Sequence, residues 1–264
     1  MIVCVLCEKI NHMKKIVLIT GATSGIGKAT AVKFAQNNFD IIITGRRENR
    51  LKKVASEISE KYSVKVLPLC FDIRNKKEVE IAVNNLDSNW KKINILVNNA
   101  GLALGLNPIQ EGETDDWDTM IDTNLKGLLY MSKAVSNLMI EYGKGHIINV
   151  GSIAGKEAYP NGNVYSATKH AVDGLTKGMR LDLFKHGIKV SQVAPGAVET
   201  EFSNVRFKGD NERADKVYNG YKPLTGEDIA DAIFYMVSVP DHVNINDLLI
   251  MPMAQANATT FSKE

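Results

Sequence analysis

The stretch I-V-L-I-T-G-A-T-S-G-I-G, residues 16–27, decides how the rest of the chain is read. Its first five residues form a short continuous apolar run, as expected of a strand buried on both faces. Gly21, Gly25 and Gly27 follow, and residues 25–37 then carry Ala29, Val32, Phe34 and Ala35 on one side of a helix. Strand, glycine turn and helix form the context in which main-chain N–H groups can approach a pyrophosphate, with the positive end of the helix beside it. Without that context, three glycines would read as an ordinary αβ turn.

Outward from this turn the alternation continues. Strands are expected at 40–45 (DIIITG), 64–72, 93–101, 146–152, 188–196 and 247–253, and helices at 48–62, 75–90, 114–141, 163–186 and 227–238. Pro68 suggests that the third strand lies at an edge or carries a bulge. Residues 197–226, rich in Gly, Asn and charge, read as an irregular lid. Such alternation predicts an α/β fold: a single Rossmann-type, doubly wound parallel sheet with helices on both faces. Ligands of such sheets bind outside the carboxyl ends of the strands. No repeat or linker interrupts the pattern, so 13–264 reads as one domain. The spacing of Met13 from the first strand suggests that residues 1–12 are an N-terminal extension.

Composition narrows the classes. The chain has 264 residues, 23% charged and 44% hydrophobic, which excludes collagen-like, coiled-coil and wholly disordered chains. Its net charge of +2, from 32 basic and 30 acidic residues, gives no expectation of a nucleic-acid partner. No apolar run reaches membrane-spanning length, so no membrane partner is expected. Cys4, Cys7 and Cys70 are too few for a disulfide framework and fit a reducing, cytoplasmic setting. The C-x-x-C of Cys4 and Cys7 has no second ligand pair, so no metal is expected.

The second strand ends in T-G-R-R, with Arg46 and Arg47 where an acid would hold the ribose 2′-hydroxyl of NAD. Two guanidiniums and no carboxylate favour the 2′-phosphate of NADP. Farther on, Tyr165 and Lys169 share one helix face, one turn apart. A tyrosine is a poor base at neutral pH, and a neighbouring ammonium favours its phenolate, so the pair suits proton transfer in an alcohol/ketone couple. Ser152 ends the fifth strand, N-N-A-G (98–101) the fourth and P-G (195–196) the sixth, all at one sheet edge. Asn124 stands within a long helix, an unusual place for a residue that competes for helix hydrogen bonds.

The G-x-x-x-G-x-G spacing, N-N-A-G, Ser152 and Y-S-A-T-K together resemble the short-chain dehydrogenase/reductase family over essentially residues 14–253. The resemblance implies a tetrad: Tyr165 as proton donor or acceptor, Ser152 orienting the substrate oxygen, Lys169 lowering the tyrosine pKa and holding the nicotinamide ribose, and Asn124 anchoring a proton-relay water. It implies NADP contacts at Gly21, Thr23, Ser24, Gly25, Ile26, Gly27, Arg46, Arg47, Asp72 (at the adenine), Ile73, Asn99, Ala100, Gly101, Tyr165, Lys169, Pro195, Gly196, Val198 and Thr200. It also implies a homotetramer built on the helices at 114–141 and 163–186.

Four strings, at 101–105, 151–160, 195–203 and 205–210, look like the 3-hydroxy acid dehydrogenase branch, which includes serine and allo-threonine dehydrogenases. The tail N-D-L-L-I-M-P departs from the ending common in acyl-carrier-protein reductases. A small hydroxy acid substrate needs a cation, and Arg206 in the lid is the candidate for its carboxylate. A solvent-exposed lid charge is the alternative for Arg206. For the whole chain, the alternatives are a reductase of neutral or acyl carbonyl compounds and a catalytically silent NADP sensor.

Overall fold

The computed structural model describes residues 14–263. The extension expected at 1–12, with Cys4 and Cys7, lies outside the described residues, as does the expected starting residue Met13. Seven parallel strands form one sheet in the order β3-β2-β1-β4-β5-β6-β7. These are β1 Ile16–Ile19, β2 Asp40–Gly45, β3 Val66–Cys70, β4 Ile93–Asn98, β5 Gly145–Val150, β6 Ile188–Pro195 and β7 Asp247–Ile250. The order reverses between β1 and β4, which opens a crevice beyond their carboxyl ends. β3 closes one edge, where Pro68, which has no N–H to give, is tolerated.

Alternation along each strand builds two cores. Val17, Ile19, Ile41, Ile43 and Val97 pack with Phe34 of α1 (Gly25–Gln36), Leu51 and Ile58 of α2 (Glu48–Tyr62) and Ile233 of α10 (Gly226–Ser238). Leu18, Ile42, Leu96, Ile147 and Val190 point the other way. They meet Val79 and Val83 of α3 (Lys76–Asn84) and Met131, Val135 and Met139 of α6 (Leu128–Tyr142). Each such fully buried aliphatic side chain contributes about 1.5–3 kcal/mol.

Three expected elements differ. The helix expected at 75–90 is two, α3 and α4 (Ser88–Lys91), because the chain turns between them to bury Leu86. The helix expected at 114–141 runs as α5 (Thr114–Ile121), a π-helical stretch Asp122–Gly127 and then α6. The stretch expected to be irregular contains α8 (Phe202–Arg206) and α9 (Asn211–Lys216). α7 (Asn163–Leu183) faces the sheet with a polar stripe: Tyr165, Ser166, Thr168, Lys169 and Thr176 are all buried. Among the described residues no helix is long and apolar enough to cross a membrane, and no cluster of three or more His, Cys, Asp or Glu could hold a metal.

Candidate active site

A cleft of about 350 Å³ opens at the carboxyl ends of the strands. Its floor is the glycine turn. Gly21 and Gly25 take left-handed φ values of 67° and 53°, which glycine adopts without strain. A Cβ at Gly21 would come within 2.9 Å of Ala100 Cα. Thr20 and Asn99 pin this turn to the end of β4. Thr20 Oγ1 accepts from the N–H groups of Asn99 (3.0 Å) and Ala100 (2.9 Å), and Asn99 Nδ2 donates to Thr20 O (2.8 Å). Ser24 stands at the N-cap of α1 without a side-chain capping bond, and no acid sits in the first turn. With no acid of its own in the first turn, the helix end faces the cleft as an anion site.

One wall is cationic. Arg46 and Arg47 line it, with Asp72 and Ile73 after β3. Arg47 is already engaged: it donates to Thr23 Oγ1 (2.7 Å), Ser24 Oγ (3.0 Å) and Glu201 Oε2 (2.9 Å). Arg50 donates to Glu201 Oε1 at 2.8 Å. Asp72 accepts from the Arg74 guanidinium (2.6 Å to Nη2) and lies 3.9 Å from Arg46 Nη1.

The opposite end holds Ser152, Tyr165 and Lys169, all buried. Ser152 follows β5, and its Oγ accepts from Ala154 N (3.0 Å), which fixes the hydroxyl at the strand end. Lys169 donates to Val150 O (2.9 Å), and its Nζ is 5.9 Å from the Tyr165 ring centre. Burial lowers the Lys169 ammonium to about 8. The tyrosine departs from expectation. Burial, then the neighbouring Tyr159, push its hydroxyl above its ordinary range, while Ser152 and the Arg206 cation pull it down. Lys169, whose Nζ donates to Val150 O, does not set the direction.

Asn124 lies in the π-helical stretch and does not line the cleft. Its Oδ1 accepts from Leu102 N and its Nδ2 donates to Leu102 O, both at 2.8 Å, with a further bond from Nδ2 to Thr168 Oγ1 (3.1 Å). It therefore fastens the segment after β4 to α7. π-bulges of this kind gather at functional sites. Gly127, at the end of the stretch, packs so closely that a Cβ would lie 2.9 Å from Ile73 Cγ2. Gly27 also lies behind the cleft wall, where a Cβ would meet Asn99 Nδ2 and Gly21 O at 2.5 Å.

Arg206, the last residue of α8, is not a solvated lid charge. Its Nε donates to Gly105 O (3.1 Å), and its Nη2 is buried with no partner among the described residues. The guanidinium carbon lies 5.5 Å from the Tyr159 ring centre and 5.9 Å from that of Tyr165. It lines a small recess that shares Tyr165 with the main cleft. Burying a guanidinium donor without an acceptor costs free energy that an incoming anion would recover.

The other expected positions (Thr23, Ser24, Ile26, Ala100, Gly101, Pro195, Gly196, Val198 and Thr200) all line the cleft. Sequence reasoning missed Phe71, Thr123, Glu201 and Phe202 there, and Tyr159 beside Arg206. Glu201 left a signal, a carboxylate in the lid with three arginines at 46, 47 and 50. Tyr159 left none.

A family model described as short chain dehydrogenase matches residues 15–211. The chain is 47% identical to the NADP-dependent 3-hydroxy acid dehydrogenase YdfG of Salmonella typhi over 244 residues, covering 92% of this chain and 97% of that one. It is 46% identical to sulfoacetaldehyde reductase 2 of Chromohalobacter salexigens over 245 residues, 92% and 96% of the two chains. Its fold is similar to the closed form of serine dehydrogenase complexed with NADP+, with a TM-score of 0.88 and 44% identity, over 94% and 99% of the two chains. With the glycine turn and the Ser152–Tyr165–Lys169 group at one cleft, these matches place the chain in the short-chain dehydrogenase family.

Proposed function

We propose that this protein is an NADP-dependent oxidoreductase that interconverts the 3-hydroxyl and 3-keto forms of a small hydroxy acid such as serine, allo-threonine or 3-hydroxypropionate. One observation carries the substrate class: Arg206 holds beside Tyr165 a buried Nη2 with no partner among the described residues. The similarity to the 3-hydroxy acid and serine dehydrogenases supports it. The cofactor reading rests on the cleft itself. An uncapped α1 N-terminus and a Cβ-free turn suit the pyrophosphate. Arg46 and Arg47 suit the 2′-phosphate.

NADP(H), when bound, supplies or takes up the hydride at the substrate carbon. The chain does the rest. Arg206 anchors the carboxylate, and Ser152 orients the reacting oxygen. Burial keeps the Tyr165 phenol protonated, the form that can donate its proton to a carbonyl oxygen. In the oxidising direction the phenolate takes that proton back, with the Lys169 and Arg206 cations nearby to stabilise it. Asn124 holds the site's geometry through Leu102, and a relay water at this residue belongs to the same reading.

The similarity to sulfoacetaldehyde reductase 2 favours a second reading of the anion, a sulfonate in place of the carboxylate. Neutral carbonyl substrates leave Arg206 unpaired, and a silent sensor has no use for the Ser152–Tyr165–Lys169 group. A homotetramer in the cytoplasm completes the proposal. Leu181 and Phe184, at and beyond the end of α7, are exposed and available to an assembly.

The test is a rate panel with NADP+ and NAD+ on L-serine, L-allo-threonine, 3-hydroxypropionate and neutral alcohols of matching size, with sulfoacetaldehyde and NADPH in reverse. The proposal expects the NADP+–acid pairs to lead. Turnover confined to neutral alcohols contradicts it.

A further inference from the structure

Glu201 opens the lid and bridges two guanidiniums of the cationic wall. Its Oε2 accepts from Arg47 Nη1 at 2.9 Å and its Oε1 from Arg50 Nη1 at 2.8 Å. Arg47 and Glu201 line the cleft. The same Arg47 holds Thr23 and Ser24 of the glycine turn. The three side chains are about half exposed. Ion pairs at that exposure are weak and readily exchanged. We infer that Glu201 is an internal competitor for the anion site formed by Arg47 and Arg50, and that the cofactor's 2′-phosphate must displace it, which makes Arg50 and Glu201 determinants of cofactor choice. The inference rests on the NADP reading above.

The exchange needs only a side-chain rotation. α8 itself is fastened next door, where Ser203 Oγ and Tyr218 Oη share a hydrogen bond of 2.8 Å and Tyr218 Oη donates to Val198 O at 2.8 Å. A phosphate dianion carries more charge than a carboxylate and offers three oxygens to the same donors. It therefore displaces Glu201, but against a standing opponent. A cofactor with a 2′-hydroxyl brings no such charge and leaves the Glu201 bridge in place. Glu201 thus lowers the affinity for NADP while leaving NAD nearly untouched. Arg50, which does not line the cleft while paired, becomes a phosphate ligand once Glu201 turns away.

Calorimetric titration of the full chain with 2′,5′-ADP, 5′-ADP, NADP+ and NAD+ tests this without turnover. Glu201→Gln is expected to tighten 2′,5′-ADP and NADP+ about three- to tenfold and to leave 5′-ADP and NAD+ within about twofold. Arg50→Met is expected to weaken 2′,5′-ADP about fivefold or more and to leave 5′-ADP unchanged. In the double variant the Glu201→Gln gain should shrink, because the carboxylate acts in part through Arg50. Wild-type protein that binds NADP+, with Glu201→Gln binding it no better, overturns the inference alone. Wild-type protein that binds NAD+ and not NADP+ overturns the cofactor reading and the inference with it.

Discussion

The guanidinium carbon of Arg206 stands 5.9 Å from the ring centre of Tyr165, although one residue ends α8 in the lid and the other lies in the first turn of α7. In the proposed function, the group that would bind the substrate's anion and the group that would move the proton are therefore neighbours. A substrate held by both must be short: an anionic head on Arg206 and a reacting oxygen at Tyr165 and Ser152. Phe202, with its ring centre 5.6 Å from that of Tyr165, lines the main cleft beside it. Under the proposed function, this geometry would favour small hydroxy acids over bulky ketones.

Tyr165→Phe keeps the ring against Phe202 and Arg206 and removes only the hydroxyl. Turnover should fall about 10²- to 10⁴-fold, the usual contribution of a positioned acid/base. Affinity for NADP+, read by titration, should stay within a few fold. A variant that retains near wild-type turnover would remove Tyr165 from the chemistry.

Burying Lys169 costs the fold stability. Its folded pKa is about 8, against 10.5 for the free group, because burial penalises the ammonium. Below pH 8 both states are protonated and the folded state bears the full cost. Between pH 8 and 10.5 only the unfolded state still holds the proton, so stability rises with pH. At about 1.4 kcal/mol per pH unit, Lys169→Met should stabilise the fold by up to roughly 3 kcal/mol at pH 7, less the lost bond to Val150 O. The gain should vanish near pH 10.5 while activity is lost throughout. Urea titrations at three pH values check the sign.

His146 makes the fold acid-sensitive. It is buried in β5 with Nε2 2.8 Å from Ser191 Oγ, and burial, then Lys189, hold its pKa near 3. From pH 6.5 downward the unfolded chain takes up a proton that the folded chain refuses, so stability drops until about pH 3. His146→Asn should reduce the slope of unfolding free energy near pH 5 by about 1.4 kcal/mol per pH unit. Equal slopes for the two proteins would mean that His146 is protonated in the folded state.

Arg47→Met should weaken NADP+ binding about 10- to 100-fold, the range for losing a charge-assisted bond, while NAD+ binding changes little. Equal losses for both cofactors would mean that Arg47 serves the glycine turn through Thr23 and Ser24 and not the phosphate.

Much of this was legible in the chain. Continuous apolar runs such as I-V-L-I and D-I-I-I-T-G mark buried parallel strands because both faces of the sheet are covered. The glycine turn and the shared placement of Tyr165 and Lys169 at the cleft were legible because both depend on local spacing. The π-helical stretch at Asn124 was not, since it answers to Leu102 and Thr168, which lie far away in sequence. The fate of Arg47 was hidden for the same reason: its partner Glu201 comes from across the cleft. The direction of the Tyr165 shift depends on burial, which no helical spacing reports.

The most direct test of the central claim is the split of kcat and KM in Arg206→Met, measured with NADP+ on 3-hydroxypropionate and on a neutral alcohol of the same length. The claim predicts a KM for the acid raised about 10- to 100-fold and an unchanged KM for the alcohol, with any change in kcat, from the loss of a cation beside Tyr165, common to both. An equal rise for both, or none for the acid, would contradict the reading of Arg206 as the residue that selects an anionic substrate.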